Sequence, residues 1–465
     1  MVLSADLRAG LAAAGQGHAV ARCDLLAVDD EAAAERLARD LAALDLELLT
    51  DLFRRTKELP AAGTSFEPPE LVSAVDAADG ERFERARSVG AGLLAAGKVG
   101  FLLVAGGQGS RLGFEAPKGD YPLGPVTGRT LFAWHAHRLL AAQAKHGSAT
   151  PFYVMTSLAN EAATREVFVR EGFFGLRRED VFFFRQDMLP ALDSGGRVLF
   201  ESRDRLFLAP NGHGGSLLGL ARSGALADMR ARGVEVLSYF QVDNPLVRPA
   251  DPLFLGLHAQ AGAEMSSKVV DKRDARERVG VIGRIDGALG CIEYSDLPGE
   301  LREAREPGGR LRFRAGNIAA HLFDIPFLES LTGARFGLPW HVARKTMRVA
   351  DESGDTRECE GFKFETFVFD ALAYARRSVT LEVERSLEFC PVKNREGEDS
   401  PATARAALCA MFASWVRRAG RPLPPLDASG NVPVEVDPRH AETQDEFLRR
   451  GGAPIVHPTG HVYGA

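Results

Sequence analysis

Short apolar runs alternate with helix-compatible stretches from residue 99 onward, and this alternation limits the fold more than any other feature. Four runs end at glycine or polar residues: VGFLLVAGG, PFYVMTS, DVFFFRQ and VEVLSYFQVDN. The stretches between them are TLFAWHAHRLLAAQAKHG, NEAATREVFVREG and GGSLLGLARSGALADMRARG. Buried strands that alternate with helices form a mainly parallel sheet covered on both faces, with ligands at the carboxyl ends of the strands. The sequence therefore predicts an α/β fold.

The pattern differs on both sides of this region. Between about 265 and 295 it favours antiparallel strands, and Asp286-Gly287 predicts a hairpin turn between RVGVIGRI and GCIEYS. SPATARAALCAMFASWVRRAG, after about 400, predicts a helix that leads into a Pro/Gly-rich tail. Near the N-terminus, four leucines at three- and four-residue spacings predict an amphipathic helical stripe: Leu37, Leu41, Leu44 and Leu48.

A glycine loop follows the first buried run. Gly106, Gly107 and Gly109 let the backbone approach a phosphate and point amide N–H groups at its oxygens. The dehydrogenase pattern G-x-G-x-x-G is not met, because Leu112 stands where the third glycine belongs. No G-K-[ST] follows, so the loop is not a Walker A loop either.

Two cations, Arg111 and Lys118, follow these glycines. A triphosphate undergoing displacement needs them, because the charge that develops on phosphoryl oxygens and on leaving pyrophosphate is stabilised by fixed positive groups. A hydride-transfer site has little use for them. The loop is therefore predicted to bind phosphates.

A candidate metal ligand follows another strand. Asp243 and Asn244 come directly after VEVLSYFQV, and a carboxylate at the carboxyl end of a strand is well placed to hold Mg²⁺ and bridge it to substrate phosphates. A second glycine loop, APNGHGG at 209–215, opens a helix near Ser216, where its backbone can meet a base or a sugar. His213 lies in that loop without apparent metal-ligand partners.

Charge and cysteine usage argue against several classes of protein. The formal charge is −6, and no cluster of Lys and Arg suggests a nucleic-acid partner. The five cysteines lie far apart without C-x-x-C spacing, which favours a reducing compartment. The first residues do not look like a secretion signal, and no apolar run of about 18 residues suggests a membrane span. We expect a soluble cytoplasmic protein.

These segments resemble, in order, the signature segments of the UDP-N-acetylhexosamine pyrophosphorylases, within the wider UDP-sugar pyrophosphorylase family. LLVAGGQGSRLGFEAPKGDYPLG resembles the nucleotide loop, RQDMLPAL the uracil segment, APNGHGGSLLGL the second glycine loop and FQVDNPLVRPADP the metal-aspartate segment. GVIGRIDGALGCIEYSD and FRAGNIAAHLF resemble the hexose-binding segments, and HVARK, GFKFETFVFDAL and LEFCPVKN complete the set. The resemblance runs from about 100 to 415.

The resemblance implies a fold and a reaction. The fold is a GT-A-like, Rossmann-type nucleotidyltransferase core with a mixed sheet. Its domains are a mainly helical N-terminal accessory domain (1–98), a central catalytic domain (99–395) and a C-terminal domain (396–465). The reaction converts UTP and N-acetylglucosamine 1-phosphate into UDP-N-acetylglucosamine and pyrophosphate, with Mg²⁺ as cofactor. Partners are these small substrates, with neither nucleic acid nor membrane, and the protein is expected as a monomer or homodimer.

Carried over residue by residue, the resemblance implies the nucleoside contacts. The backbone of Gly106 and Gly107 would meet uracil, and Gln186 would hydrogen-bond the base. Gly212 would lie against the nucleoside. His213 stands where the family usually has asparagine beside the ribose or uracil, so that contact is expected to differ.

The resemblance also implies which residues bind the phosphate groups and the metal ion. Arg111 and Lys118 would bind the UTP phosphates, Asp243 would ligate Mg²⁺, and Lys393 would reach the sugar phosphate and the α-phosphoryl group. No protein nucleophile is required, because the sugar phosphate is itself an anion that attacks the α-phosphorus in line once the charge repulsion is suppressed.

Four further residues would bind the sugar. Glu293 and Asn317 would hold it, and Phe367 and Phe369 would lie near its N-acetyl group. Broader UDP-sugar synthesis, with UDP-glucose or UDP-N-acetylgalactosamine as product, is one alternative. A non-catalytic UDP-sugar-binding protein is another, and a dehydrogenase is a third.

Overall fold

The computed structural model describes residues 3–57, 65–74, 80–333 and 337–464. The chain divides into two compact units, each assembled from three separate segments. The first unit comprises Met1–Gly63, Gln186–Ser216 and Leu338–Val368, and the second comprises Thr64–Arg185, Leu217–Gly337 and Phe369–Ala465. The predicted division into three consecutive domains stays a prediction.

The helices are α1 (Ala5–Ala13), α2 (Gly17–Asp29), α3 (Glu31–Ala42), α4 (Leu46–Arg55), α5 (Gly80–Ala95), α6 (Leu131–His146), α7 (Glu161–Arg170), α8 (Gly215–Arg222), α9 (Ala225–Ala231), α10 (Pro252–Ala261), α11 (Gly299–Glu303), α12 (Ile325–Leu331), α13 (Arg385–Glu388), α14 (Pro401–Arg418) and α15 (Gln444–Arg450). The strands are β1 (Phe66–Glu67), β2 (Val72–Ser73), β3 (Val99–Val104), β4 (Phe152–Thr156), β5 (Val181–Arg185), β6 (Met188–Pro190), β7 (Leu192–Asp193), β8 (Phe200–Ser202), β9 (Arg205–Leu206), β10 (Leu208–Pro210), β11 (Val236–Gln241), β12 (Met265–Asp271), β13 (Val281–Ile285), β14 (Ala288–Ile292), β15 (Ala315–Asp324), β16 (His341–Ala350), β17 (Thr356–Glu365), β18 (Ser378–Glu382), β19 (Val434–Val436), β20 (Ile455–His457) and β21 (Gly460–Tyr463).

The large sheet belongs to the second unit and has the strand order β2-β18-β12-β15-β11-β3-β4-β5. Strands β11, β3, β4 and β5 are parallel, whereas β15 runs antiparallel to both β11 and β12. Strands β3 and β4 are buried along almost their whole length, as expected when helices cover both faces of a parallel sheet. The predicted α/β class with a mixed sheet is confirmed.

Two neighbouring parallel strands position the segments of greatest chemical interest. In the pairing of β3 with β11, Val104 lies opposite Gln241, and these are the last residues of the two strands. The glycine loop that begins at Ala105 and the segment that carries Asp243 therefore leave the sheet side by side. Ligands of open α/β sheets bind at this edge, outside the carboxyl ends of the strands.

Local turn chemistry confirms the predicted hairpin and divides two of the helical stretches. Asp286 and Gly287 have φ of 50° and 83°, the left-handed conformations of a tight turn between β13 and β14. Gly224, with φ of 84°, separates α8 from α9. The leucine stripe near the N-terminus is interrupted, because the Asp45 side chain accepts a hydrogen bond from the Leu48 N–H and starts a new helix, α4.

The first unit has its own apolar core. Helices α1–α4 contribute Leu37 and Leu41, which are fully buried, and the later segments contribute Leu192 and Phe362. The long hairpin β16–β17 extends this core, and β17 pairs with β7. The N-terminal helices therefore pack on strands that lie far along the chain.

The C-terminal strand β19 holds a turn of the second unit in place. The buried Glu435 carboxylate accepts hydrogen bonds from the N–H groups of Val126 and Thr127, both at 3.0 Å. Asp437 forms an ion pair with Arg129 at 2.7 Å, and burial limits solvent screening of that pair. The C-terminal segment thus fixes the turn that follows the Lys118 region.

Candidate active site

The phosphate loop, residues 105–118, is folded back on itself after β3. The Lys118 N–H donates to the Gly107 carbonyl at 3.2 Å, and the Gly109 N–H donates to the Ala116 carbonyl at 2.9 Å. From the next strand connection, the buried Asn160 amide donates to the carbonyls of Ala105 at 2.8 Å and Gly107 at 3.3 Å. Gly106 is half-buried and Gly107 is exposed, so their backbone is accessible to a ligand.

Both predicted cations of the phosphate loop lack a carboxylate partner in the described chain. Arg111 is exposed on a 3₁₀ turn, and Lys118 is half-buried at the start of another. The Lys118 side chain runs beside Gly107, where an added Cβ would lie 4.0 Å from Lys118 Cε. Two uncompensated positive charges on one short loop favour binding of an anion.

Asp243 lies two residues beyond β11 and is half-buried. Its carboxylate forms neither an ion pair nor a side-chain hydrogen bond with any described residue, whereas its carbonyl accepts a hydrogen bond from the Val392 N–H at 2.8 Å. Lys393 follows Val392 directly. The segments that carry the predicted metal ligand and the predicted phosphate-binding lysine are thus joined by a backbone hydrogen bond.

Asn244 strengthens this junction, a role that the sequence did not reveal. It is 3% exposed, and its side-chain amide donates to the Glu388 carbonyl at 2.8 Å and accepts from the Cys390 N–H at 3.1 Å. The sequence signal was an amide beside the candidate metal ligand, but its partners lie more than 140 residues away and could not be inferred. Asn244 therefore ties the Asp243 segment to the segment that leads into Lys393.

Lys393 begins the lysine loop, residues 393–399. Its N–H donates to the Asp399 carbonyl at 2.6 Å, and its Nζ lies 3.9 Å from the Asp399 carboxylate. The Lys393 side chain is 45% exposed, so this ion pair is weak and the ammonium group is accessible to a phosphate.

His135 supports the Asp243 segment from helix α6. It is fully buried, and its Nε2–H donates to the Val242 carbonyl at 3.1 Å. Burial lowers the pKa of His135 from 6.5 to about 4, and the neighbouring Arg138 charge contributes in the same direction. The imidazole is therefore neutral at physiological pH.

This depressed pKa makes an acid-stability prediction. The unfolded chain binds the His135 proton below about pH 6.5 and the folded chain only below about pH 4, so the free energy of unfolding falls as the pH falls through that window. The variant His135→Gln keeps a donor for the Val242 carbonyl but does not titrate. Between about pH 7.5 and about pH 4.5 the wild type should lose about 2 kcal/mol more stability than the variant, measured by urea denaturation. Equal losses would contradict this role of His135.

The predicted nucleoside residues of the first unit form one cluster. The Gln186 side chain is 9% exposed, and its amide donates to the Gly212 carbonyl at 2.6 Å. Gly212 has φ of 78°, and an added Cβ would lie 2.3 Å from the Thr366 carbonyl, so only glycine fits. The Gly214 N–H donates to the same Thr366 carbonyl at 2.8 Å.

His213 and Phe367 lie together in the first unit. His213 Nδ1 accepts a hydrogen bond from the Val368 N–H at 3.2 Å, and its ring lies 5.3 Å from Phe367. Burial, together with the charge of His341, lowers the pKa of His213 to about 4. Phe369 belongs to the second unit. It is buried in a 3₁₀ helix, Val368–Tyr374, which follows β17 after that strand ends at Glu365.

Glu293 and Asn317, the predicted sugar residues, surround Gly280 in the second unit. An added Cβ at Gly280 would lie 3.6 Å from a Glu293 carboxylate oxygen, and the Gly280 carbonyl accepts from the Asn317 N–H at 2.8 Å. Asn317 is held by the Ala319 N–H, which donates to its side-chain oxygen at 2.9 Å. The structure therefore brings together two residues that are 24 positions apart.

Two absences apply to the described parts of the chain. They contain no cluster of three or more His, Cys, Asp or Glu side chains able to hold a metal ion by themselves. Their helices include none with the length and apolarity needed to cross a bilayer.

Comparison with known proteins gives consistent matches. Residues 65–424 match the family described as UTP–glucose-1-phosphate uridylyltransferase. The chain is 38% identical over 454 residues to human UDP-N-acetylhexosamine pyrophosphorylase-like protein 1, covering 92% of this chain and 88% of that protein. It is 36% identical to UDP-N-acetylglucosamine diphosphorylase 1 of Arabidopsis thaliana, covering 91% and 86%. The crystal structure of the uridine diphosphate N-acetylglucosamine pyrophosphorylase from Trypanosoma brucei in complex with inhibitor matches with a TM-score of 0.80 and 27% identity, covering 95% and 93%.

Proposed function

The chain belongs to the UTP–glucose-1-phosphate uridylyltransferase family, and we propose that it joins UTP to N-acetylglucosamine 1-phosphate, giving UDP-N-acetylglucosamine and pyrophosphate. Relatives named as UDP-N-acetylhexosamine and UDP-N-acetylglucosamine pyrophosphorylases confirm the family resemblance found in the sequence. The observation that carries the proposal is the junction of the phosphate loop, Asp243 and Lys393 at the carboxyl ends of β3 and β11. Acid, lysine and phosphate loop are the groups that a phosphoryl-transfer site needs.

The reaction proceeds by displacement without a covalent enzyme intermediate. A phosphate oxygen of the sugar 1-phosphate forms a new bond to the α-phosphorus of UTP, the bond from that phosphorus to the bridging oxygen breaks, and pyrophosphate leaves. Lys393 binds the incoming phosphate and the α-phosphoryl group. Arg111 and Lys118, uncompensated by carboxylates in the described chain, bind the charged phosphates of UTP.

Asp243 fits a Mg²⁺ ligand. Its carboxylate is half-buried and forms no ion pair with a described residue, and magnesium commonly takes one or two protein carboxylates while substrate phosphates and water supply the other oxygens. When bound, magnesium would neutralise phosphate charge and orient the triphosphate. Asn244 keeps the Asp243 segment in place for this purpose.

The remaining residues select the base and the sugar. Gln186 is fixed by its hydrogen bond to the Gly212 carbonyl, which leaves its side-chain oxygen to accept the uracil N3–H. The family resemblance assigns the backbone of Gly106 and Gly107 to the base as well. His213, neutral at physiological pH, lies in the second glycine loop, where the family resemblance places a nucleoside contact. Glu293 and Asn317 bind the sugar hydroxyls, and Phe367 and Phe369 pack near the N-acetyl group.

The five cysteines are free thiols, which supports a reducing compartment, and we place the protein in the cytoplasm.

A substrate panel tests the function. Pyrophosphate release from UTP and Mg²⁺ is measured with the 1-phosphates of N-acetylglucosamine, N-acetylgalactosamine and glucose, using wild type and Lys393→Ala. We expect preference for N-acetylglucosamine 1-phosphate and a loss of at least about 100-fold in the variant, because a preorganised charge is removed. Lys57→Ala, which changes an exposed lysine just after α4, is the control and should behave as wild type.

The other outcomes separate the alternatives. Equal turnover of glucose 1-phosphate would indicate a broad UDP-sugar pyrophosphorylase and would contradict the N-acetyl contact of Phe367 and Phe369. Binding of UDP-sugars without pyrophosphate release from any substrate would indicate a non-catalytic binding protein.

A further inference from the structure

Arg395, in the lysine loop, reaches the phosphate loop. An added Cβ at Gly113 would lie 3.5 Å from both Cζ and Nε of Arg395 and 3.6 Å from its Nη1. Three guanidinium atoms at nearly equal distances mean that the flat face of the group packs against Gly113. The contact joins the loop of Lys393 to the loop of Arg111 and Lys118, and these three residues, like Arg395 and Gly113, belong to the second unit.

The Arg395 charge is not compensated by the carboxylates nearest to it in sequence. Glu398 and Asp399 lie 3.9 Å and 4.0 Å from Arg273, and Asp399 is also 3.9 Å from Lys393. Within the described chain Arg395 has no carboxylate at ion-pair distance, and its side chain is exposed. A surface arginine usually extends into water, whereas this one lies along a loop that already carries two uncompensated cations. Its position brings a third positive charge to the loop of Arg111 and Lys118. This charge favours the observed arrangement only when an anion binds there.

We propose that Arg395 is a further phosphate-binding residue, which contacts the pyrophosphate portion of UTP and the pyrophosphate product. The proposal rests on the function proposed above. Lys393 binds the incoming phosphate and the α-phosphoryl group. Arg395 follows two residues later, a span of at most about 7 Å, which matches the distance from the α-phosphoryl group to the outer phosphates. The planar guanidinium can form two parallel hydrogen bonds to phosphate oxygens, a geometry that an ammonium group cannot offer.

Gly113 supports this assignment from the other side of the contact. Its φ of 71° is the left-handed conformation that ends the 3₁₀ turn holding Arg111. The Arg395 face therefore lies one turn from the Arg111 backbone, so the two arginines can bind the same group. A lysine loop with both Lys393 and Arg395 would contact UTP on each side of the bond that breaks.

The test uses the reverse reaction, in which UDP-N-acetylglucosamine and pyrophosphate give UTP and N-acetylglucosamine 1-phosphate. Arg395→Ala removes the group, Arg395→Gln keeps a planar side chain without charge, and Arg418→Ala changes an exposed arginine of α14 as a control. We expect both Arg395 variants to raise the KM for pyrophosphate about 10-fold or more, as for a lost charge-assisted hydrogen bond, and to leave the KM for UDP-N-acetylglucosamine within about 2-fold. Calorimetric titration of each variant with magnesium pyrophosphate gives the matching Kd.

The outcomes are distinct. A wild-type KM for pyrophosphate in Arg395→Ala would overturn the proposal, as would a defect in Arg395→Ala that Arg395→Gln fully repairs, since that would show a packing role. Equal increases in both KM values would show a general disturbance of the loops and would also overturn it. If wild type makes no UTP, the proposed function fails, and the Kd for pyrophosphate still decides the role of Arg395.

Discussion

Replacing Asp243 with asparagine is expected to lower turnover about 1000-fold, because the site loses the several kcal/mol of charge stabilisation that a carboxylate-bound metal supplies. The substitution keeps the size of the side chain. The backbone hydrogen bond from Val392 to the Asp243 carbonyl and the Asn244 contacts do not depend on the carboxylate, so the fold should persist. Initial rates are measured over a range of Mg²⁺ concentrations, and half-saturation should shift to higher Mg²⁺ in the variant.

The chain offers a matched control for this experiment. Asp271, at the end of β12, is 46% exposed and pairs with Arg310 at 3.2 Å, so Asp271→Asn should leave turnover close to wild type. Turnover of Asp243→Asn within about 10-fold of wild type, with an unchanged Mg²⁺ requirement, would mean that another residue holds the metal.

The sequence was most informative where local patterns decide structure. Strands buried on both faces must be apolar throughout, which is why VGFLLV and FYVMT could be identified as β3 and β4. Positive φ at a turn restricts its residues, which is why Asp286-Gly287 predicted the hairpin. Both signals depend on residues close together in the chain.

Such local patterns could not predict how the distant segments of the first unit assemble. Strand β17 pairs with β7 through Gly361 and Asp193, residues 168 positions apart, and the N-terminal helices complete their core. Nothing in the leucine spacing of α3 and α4 specifies which distant strands they cover. The break between those helices was missed for another reason, since the Asp45 cap competed with the apolar period.

The residues of the candidate site fall into the same two groups: those that local patterns indicate and those whose role depends on distant contacts. Residues beside a glycine loop or directly after a strand, such as Gly107 and Asp243, stand out because phosphate and metal chemistry restricts the residue types. Asn160 and Asn244 act through carbonyls of distant segments, and any amide in a loop has the same appearance in sequence. Arg395 was missed because an isolated arginine in a polar loop resembles solvated surface charge. Long-range contact, not residue type, gives these residues their significance.

A cluster of buried charged residues lies near the Asn244 junction. Glu388, whose carbonyl accepts from Asn244, directs its carboxylate at Lys268, with a distance of 2.6 Å between Oε2 and Nζ. Lys268 is fully buried on β12 and lies 2.7 Å from Asp251 as well. Burial by itself would raise the pKa of Asp251, but the charges of Lys268 and Arg248 outweigh it and hold the pKa of that carboxyl well below its ordinary value. Lys268, with Arg248 nearby, therefore neutralises two buried acids near the Asn244 junction.

Replacing Lys268 with methionine is expected to lower the free energy of unfolding by about 3–5 kcal/mol, because two buried carboxylates lose their shared cation. Methionine is similar in length, so lost volume contributes little. Urea denaturation measures the change. Lys98→Met is the matched control, since Lys98 pairs at 2.9 Å with Glu235 where both side chains are 37% and 57% exposed, and removal of such a pair costs at most about 1 kcal/mol.

A second variant separates loss of charge balance from loss of packing. The triple variant Lys268→Met, Asp251→Asn and Glu388→Gln removes the buried lysine together with both of its acids and leaves Arg248, whose side chain is 29% exposed, so it should recover more than half of the lost stability. If Lys268→Met alone loses less than about 1 kcal/mol, the three groups do not form a coupled buried network. If the triple variant is no more stable than Lys268→Met, the methionine destabilises through its shape, and the charge argument fails. Recovery in the triple variant would show that Lys268 is required because Asp251 and Glu388 are charged, which links the stability of the sheet to the segment that leads into Lys393.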